Sequence, residues 1–127
     1  MTFKIGDITI NRIQESCDVG SMPHVDFPDA TPEALAPYMD WLKPFAIDPV
    51  SGGTIMPVQT YLVRTRHHTI LLDTCVGHDK NHKDFPDWNQ RSDYRLIEDL
   101  AAAGVAPEDI DFVLCSHLHL DHAGWNT

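Results

Sequence analysis

Apolar and polar residues alternate through Phe3-Lys4-Ile5 and again through Ile8-Thr9-Ile10-Asn11-Arg12-Ile13, with Gly6-Asp7 between them. A period of two on either side of a turn dipeptide predicts a β-hairpin. Thr60-Tyr61-Leu62-Val63-Arg64-Thr65 and His68-Thr69-Ile70-Leu71-Leu72-Asp73 predict a second hairpin turning at Arg66-His67. Between the hairpins, from Met22 to Pro57, the pattern breaks down. Seven of the nine prolines fall there, too close together for a long helix or a central strand. One short helix fits, with Thr31 as N-cap, Pro32 at its first position and a run through Tyr38 and Trp41. After the second hairpin, Thr74 to Gln90 reads as a polar loop. A helix then follows, capped by Ser92, with Tyr94, Ile97, Leu100 and Ala101 as its apolar stripe and Gly104 at its end. Beyond a short turn at Pro107, Asp111-Phe112-Val113-Leu114-Cys115-Ser116 predicts a buried strand.

Length and charge narrow the setting. A chain of 127 residues suits one compact domain, and a formal charge of −10 repels phosphate backbones and anionic membranes. Nucleic acid and membrane are therefore not expected as partners. No apolar run approaches the roughly 18 residues of a membrane-spanning helix. The start, Met1-Thr2-Phe3-Lys4, does not have the pattern of a secretory signal. Cys17, Cys75 and Cys115 are odd in number and widely spaced, which suggests neither a disulfide framework nor a thiolate zinc site. A cytoplasmic setting is the expectation.

The chemistry is concentrated at the end of the last strand, in Ser116-His117-Leu118-His119-Leu120-Asp121-His122-Ala123-Gly124. Extended residues two apart share a face, so His117 and His119 leave the strand on one side and can share a metal ion. Asp121 and His122 follow in a turn that can direct both into the same cavity. Imidazole with carboxylate suits zinc, and also iron or manganese. No Gly-x-Ser-x-Gly elbow is present, and Ser116 reads simply as the last strand residue.

His117-x-His119-x-Asp121-His122 after an apolar strand resembles the signature of the metallo-β-lactamase superfamily, and Thr60–Asp73 resembles its early hairpin. The "HLHLDHAG" wording is most similar to the lactonase-like hydrolases, among them those that open acyl-homoserine lactones. The resemblance implies an α/β fold, the αββα sandwich, with this chain as its amino-terminal half. It implies two divalent metal ions, zinc first: His117 and His119 on one, Asp121 and His122 on the other. A hydroxide between the metals would attack a lactone or other carboxylic ester or amide. Asp121 would pass a proton to the leaving group, and Asp73 would orient the ligand loop through hydrogen bonds. The aromatic segment between 22 and 57, with Phe27, Trp41 and Phe45, would wall the pocket for a small ester or lactone. A phosphodiesterase of the same superfamily is the alternative enzyme.

Three departures from the family pattern matter. Cys75 stands in place of a glycine, which predicts a turn without positive φ and a small buried side chain. Trp125 stands where many relatives have a second glycine. The three later ligands of the family, a histidine, a bridging aspartate and a final histidine, have no counterpart among the residues after His122. His78 and His82, spaced like one helix face in a solvated loop, are poor substitutes. The site therefore calls for completion by a carboxy-terminal half or a partner chain, a homodimer being one arrangement. The chain alone would be an inactive enzyme or a non-catalytic half-domain.

Overall fold

The two predicted hairpins open the structure, a computed structural model that describes all 127 residues. Strand β1 (Thr2–Ile5) pairs antiparallel with β2 (Ile8–Val19), and β3 (Ile55–Arg64) pairs antiparallel with β4 (Thr69–Leu72). A fifth strand, β5 (Phe112–Leu114), runs parallel to β4. The five form one sheet in the order β1-β2-β3-β4-β5. Five short helices accompany it: α1 (Pro23–Asp26), α2 (Pro32–Leu35), α3 (Met39–Leu42), α4 (Arg95–Ala102) and α5 (Leu120–Ala123).

The chain divides into two compact units, Met1–Ser16 with Val58–Thr127, and Cys17–Pro57. In the first, alternate residues of β2 and β3 point inward, and Ile13, Val58, Leu62 and Leu71 pack with Leu96 and Leu100 of α4. Thr60 shares the inward parity of β3. Its hydroxyl lies within hydrogen-bond distance of the carbonyls of Leu72 (3.0 Å) and Asp73 (2.7 Å), which satisfies a fully buried polar atom.

In the second unit, the helix predicted from Pro32 through Trp41 is broken into α2, a single 3₁₀ turn over Ala36–Tyr38, and α3. Pro37 has no N–H for a helical ladder, so the tighter turn takes over. Thr31 caps α2 as its sequence position predicts, its hydroxyl accepting the Ala34 N–H at 3.2 Å. The segment forms an open apolar pocket of about 190 Å³ bordered by Met22, Leu35, Met39 and Ile47.

Two expectations about the secondary structure of the first unit fail. Helix α4 starts at Arg95, not after Ser92, because Asp93 is held by the Arg91 guanidinium through two 3.0 Å bonds. Its buried residues are accordingly Leu96 and Leu100, four apart, while Tyr94 and Ala101 face solvent. Strand β5 is not buried. Phe112, Val113 and Leu114 are all exposed, on an edge strand whose sole strand neighbour is β4.

Parallel pairing of β4 with β5 has a direct consequence. Parallel neighbours end on the same side, so the carboxyl ends of the two strands are adjacent. Open α/β sheets place ligands at such ends. Asp73 follows β4, and the histidine motif follows β5.

Candidate metal centre

Asp73 is the hinge of this region. Its N–H continues the ladder by donating to the Leu114 carbonyl at 2.7 Å, and its backbone then turns into the left-handed region with φ 65°. Aspartate tolerates that conformation better than most residues. The turn points the carboxylate at the neighbouring strand end. There Oδ1 accepts the Ser116 N–H at 2.6 Å, and Oδ2 accepts the Ser116 hydroxyl at 2.8 Å. Oδ2 also lies 2.9 Å from Nδ1 of His122. Burial alone would raise the pKa of this carboxyl, but the bonds from His122 and Ser116 outweigh it and hold Asp73 below the ordinary carboxylate range.

These contacts select the lone pairs left for a cation. With Nδ1–H of His122 donated to Asp73, its Nε2 keeps a free lone pair, the usual arrangement of a metal-binding histidine backed by a carboxylate. Ser116 Oγ lies 3.1 Å from Nδ1 of His117, which leaves Nε2 of that ring available to a cation. The three imidazoles cluster: the His117 ring centroid lies 3.9 Å from that of His122 and 4.6 Å from that of His119.

Within the cluster, His117 Nε2 and His119 Nδ1 are 3.1 Å apart, and Asp121 Oδ2 and His122 Nε2 are 3.3 Å apart. Two ligands on a tetrahedral zinc, each at about 2.0–2.1 Å, stand roughly 3.3 Å from one another. Both pairs therefore fit one edge of such a coordination sphere. The short separations link all four donor groups in one cluster, since the His117 ring also lies close to that of His122. Imidazole and carboxylate together suit a divalent cation such as zinc.

The ligand segment is anchored to the loop after β4. Thr74 N–H donates to the His122 carbonyl (2.8 Å), Gly124 N–H to the Cys75 carbonyl (2.8 Å), and Trp125 N–H to the Thr74 carbonyl (3.0 Å). The Thr74 hydroxyl adds a bond to Asn126 Oδ1 at 2.9 Å. Contrary to expectation, Cys75 does adopt positive φ, at 50°. The loop must turn sharply to bring the Asp73 carboxylate under Ser116 and the Cys75 carbonyl onto Gly124. A thiol is small enough for the fully buried space that results. Burial, then the nearby charges of Glu15 and Asp73, push that thiol far above its ordinary pKa.

The other predicted residues are placed elsewhere. Trp125 is half-buried against the core, with its indole N–H on Glu15 at 2.8 Å. His78 stacks on Tyr94 with centroids 4.2 Å apart, and its Nδ1 lies 3.4 Å from Asp79. It is thus packed, in a loop that is not helical. Phe27, Trp41 and Phe45 are 61%, 66% and 81% exposed, and none borders the pocket of their own unit.

Three contributors escaped sequence reasoning. Ser116 and Thr74 act through short polar side chains that carry no pattern of their own. Glu15 did leave a signal: it shares strand parity with buried Ile13, and a carboxylate at a core-facing position needs a partner.

Comparison with known proteins places this geometry. A family model described as the metallo-beta-lactamase superfamily matches residues 53–127. The chain belongs to the metallo-β-lactamase superfamily. An N-acyl homoserine lactonase of Bacillus cereus is 31% identical over 83 residues, covering 56% of this chain and 32% of the relative. The N-acyl homoserine lactonase AiiB of Agrobacterium fabrum is 36% identical over 81 residues, covering 54% and 28%. A probable metal-dependent hydrolase from Staphylococcus aureus superposes with a TM-score of 0.67 at 26% identity, over 95% of this chain and 41% of that structure. AidC, a dizinc quorum-quenching lactonase, shares the fold with a TM-score of 0.67 at 22% identity, over 98% and 37%. The chain thus spans about a third of the curated relatives it matches. Its single mixed sheet with flanking helices corresponds to part of the αββα sandwich.

Proposed function

We propose that this chain supplies half of a dinuclear metal centre in a hydrolase of lactones or other carboxylic esters. One observation carries the reading: two ligand pairs, His117 with His119 and Asp121 with His122, each at the separation of adjacent ligands on one cation. Lactonase names among the relatives support the substrate class. Bound divalent ions, zinc first, would supply Lewis acidity and a more acidic water at neutral pH. The protein's own part is to hold the ligands. Asp73 fixes His122, Ser116 orients His117, and Asp121 would accept a proton from the attacking water and return it to the leaving alkoxide. The remaining ligands would come from further polypeptide, either on a longer chain or on a partner. The −10 charge weighs against a phosphodiester of nucleic acid as substrate.

A second reading is a non-catalytic half-domain, for which the exposed apolar edge at β5 would be a contact surface. Elemental analysis of the purified chain separates the two, with His119→Ala as control. About two metals per chain, reduced in the variant, support the dinuclear centre, and hydrolysis of a lactone panel over a chromogenic phosphodiester supports the substrate class. One metal without hydrolysis leaves the half-domain reading. No metal likewise leaves the half-domain reading and overturns a centre held by this chain alone.

A further inference from the structure

Glu15 lies 61 residues before Val76 and 110 before Trp125 in the sequence, yet its carboxylate is shared between them. Oε2 accepts the Val76 N–H at 3.1 Å and faces the Arg91 guanidinium at 3.4 Å, and Oε1 accepts the Trp125 indole N–H at 2.8 Å. The residue is only 3% exposed. A buried carboxylate is strongly disfavoured unless charge and hydrogen bonds compensate it. Here Arg91 provides the charge, and both oxygens are occupied by the two segments that carry the metal-ligand scaffold.

We propose that Glu15 is a positioning residue for the metal centre, gripping the 73–76 loop and the 122–126 turn together so that His122 is held in its ligating orientation. The proposal rests on the metal-centre reading above. The connections are short. Val76 closes the loop that begins with Asp73, and Asp73 holds His122 Nδ1. Trp125 closes the turn that begins with His122, whose carbonyl is held by Thr74. Between them, Gly124 N–H and Trp125 N–H donate to the carbonyls of Cys75 and Thr74. A charge pair serving stability alone would need Arg91 only. The two N–H groups of the scaffold give the carboxylate its direction.

Glu15→Gln keeps the shape but has a single carbonyl oxygen for two N–H donors. Trp125→Phe keeps the ring and removes one donor. Val105→Ala, at a core position outside the network, serves as a control for stability loss alone. Two quantities are measured in each full chain: zinc affinity by chelator competition, and the Nδ1–H proton signal of His122 by NMR in metal-free protein. Loss of groups that orient a ligand weakens metal binding by about tenfold or more. The expected result is a zinc affinity about tenfold weaker in E15Q and W125F, with the His122 signal broadened, and neither change in V105A. Affinities and signals that track melting temperature equally in all three variants overturn the proposal. If E15Q does not fold, W125F decides. A wild-type chain that binds no zinc overturns the metal reading, and the His122 signal then still decides whether Glu15 positions that ring.

Discussion

A Cβ placed on Gly124 would stand 1.9 Å from the carbonyl oxygen of Val76, and one on Gly77 would stand 2.5 Å from the carbonyl oxygen of Gly124. The two backbones touch where other residues would hold them apart. This contact brings the turn after His122 onto the loop after Asp73. Gly124→Ala must displace one of the two segments, since the obstacle is backbone and cannot rotate away. The expected cost is at least about 2 kcal/mol of stability, as for other overpacked buried sites. Zinc uptake should fall with it. Chemical denaturation and metal analysis check this, and a variant that matches wild type in both would mean that the contact is not needed.

Asp73 has no metal to bind in the two-pair arrangement, so its replacement tests orientation alone. Asp73→Asn retains an acceptor for Ser116 N–H but sets an amide NH₂ against the Nδ1–H of His122. Zinc affinity should drop by about 10–100-fold. Competition with a chromophoric chelator measures it. An unchanged affinity would show that His122 is held adequately by its backbone bonds to Thr74.

The three cysteines should separate by environment. Cys17 is exposed, Cys115 half-buried, and Cys75 fully buried with its thiol shifted upward by burial and by the charges of Glu15 and Asp73. Alkylation proceeds through the thiolate, so Cys17 should label first and Cys75 only after unfolding. Mass spectrometry of peptides over time reads this order. Early labelling of Cys75 in the native protein would contradict the packing of the ligand loop.

The candidate ligands could be picked out in the sequence because they lie within six residues and carry imidazole and carboxylate, but strand parity does not place them, since β5 ends at Leu114 and the chain bends at Ser116–His117. The hairpins were legible too, since turn residues separate alternating runs. What supports the site was not. Glu15 reaches its partners only when the sheet is assembled, and neither separation appears in any local pattern. The start of α4 moved because Arg91 captures Asp93, a contact that helix propensity does not register. An apolar run at β5 looked buried because composition reports what a strand can bury, whereas its neighbours decide what it does bury. Cys75 took up positive φ because the approach of Gly124 dictates the loop and outweighs the preference of the residue.

Trp41 and Phe45 offer a test that separates recognition from folding. Their side chains are 66% and 81% exposed, so truncation removes little packing. Trp41→Ala and Phe45→Ala should change stability by no more than about 0.5 kcal/mol. If these rings contact substrate, the preference of the active assembly among lactones of different acyl length should change. Equal loss of stability and activity, or no change in either, would remove them from the substrate wall.

His78 is the sharpest control on the ligand assignment, because it is a histidine in the same unit with a complete explanation of its own. Its ring stacks on Tyr94 at 4.2 Å and lies 6.1 Å from the Trp125 ring, while Nδ1 faces Asp79. His78→Ala should cost about 0.5–1.5 kcal/mol, the range for an aromatic pair beyond its buried area. Metal content should stay at the wild-type value, whereas His119→Ala lowers it. Thermal melts and elemental analysis on both variants give the comparison directly. A His78→Ala chain that loses metal in step with His119→Ala would bring His78 into the coordination sphere and break the two-pair assignment.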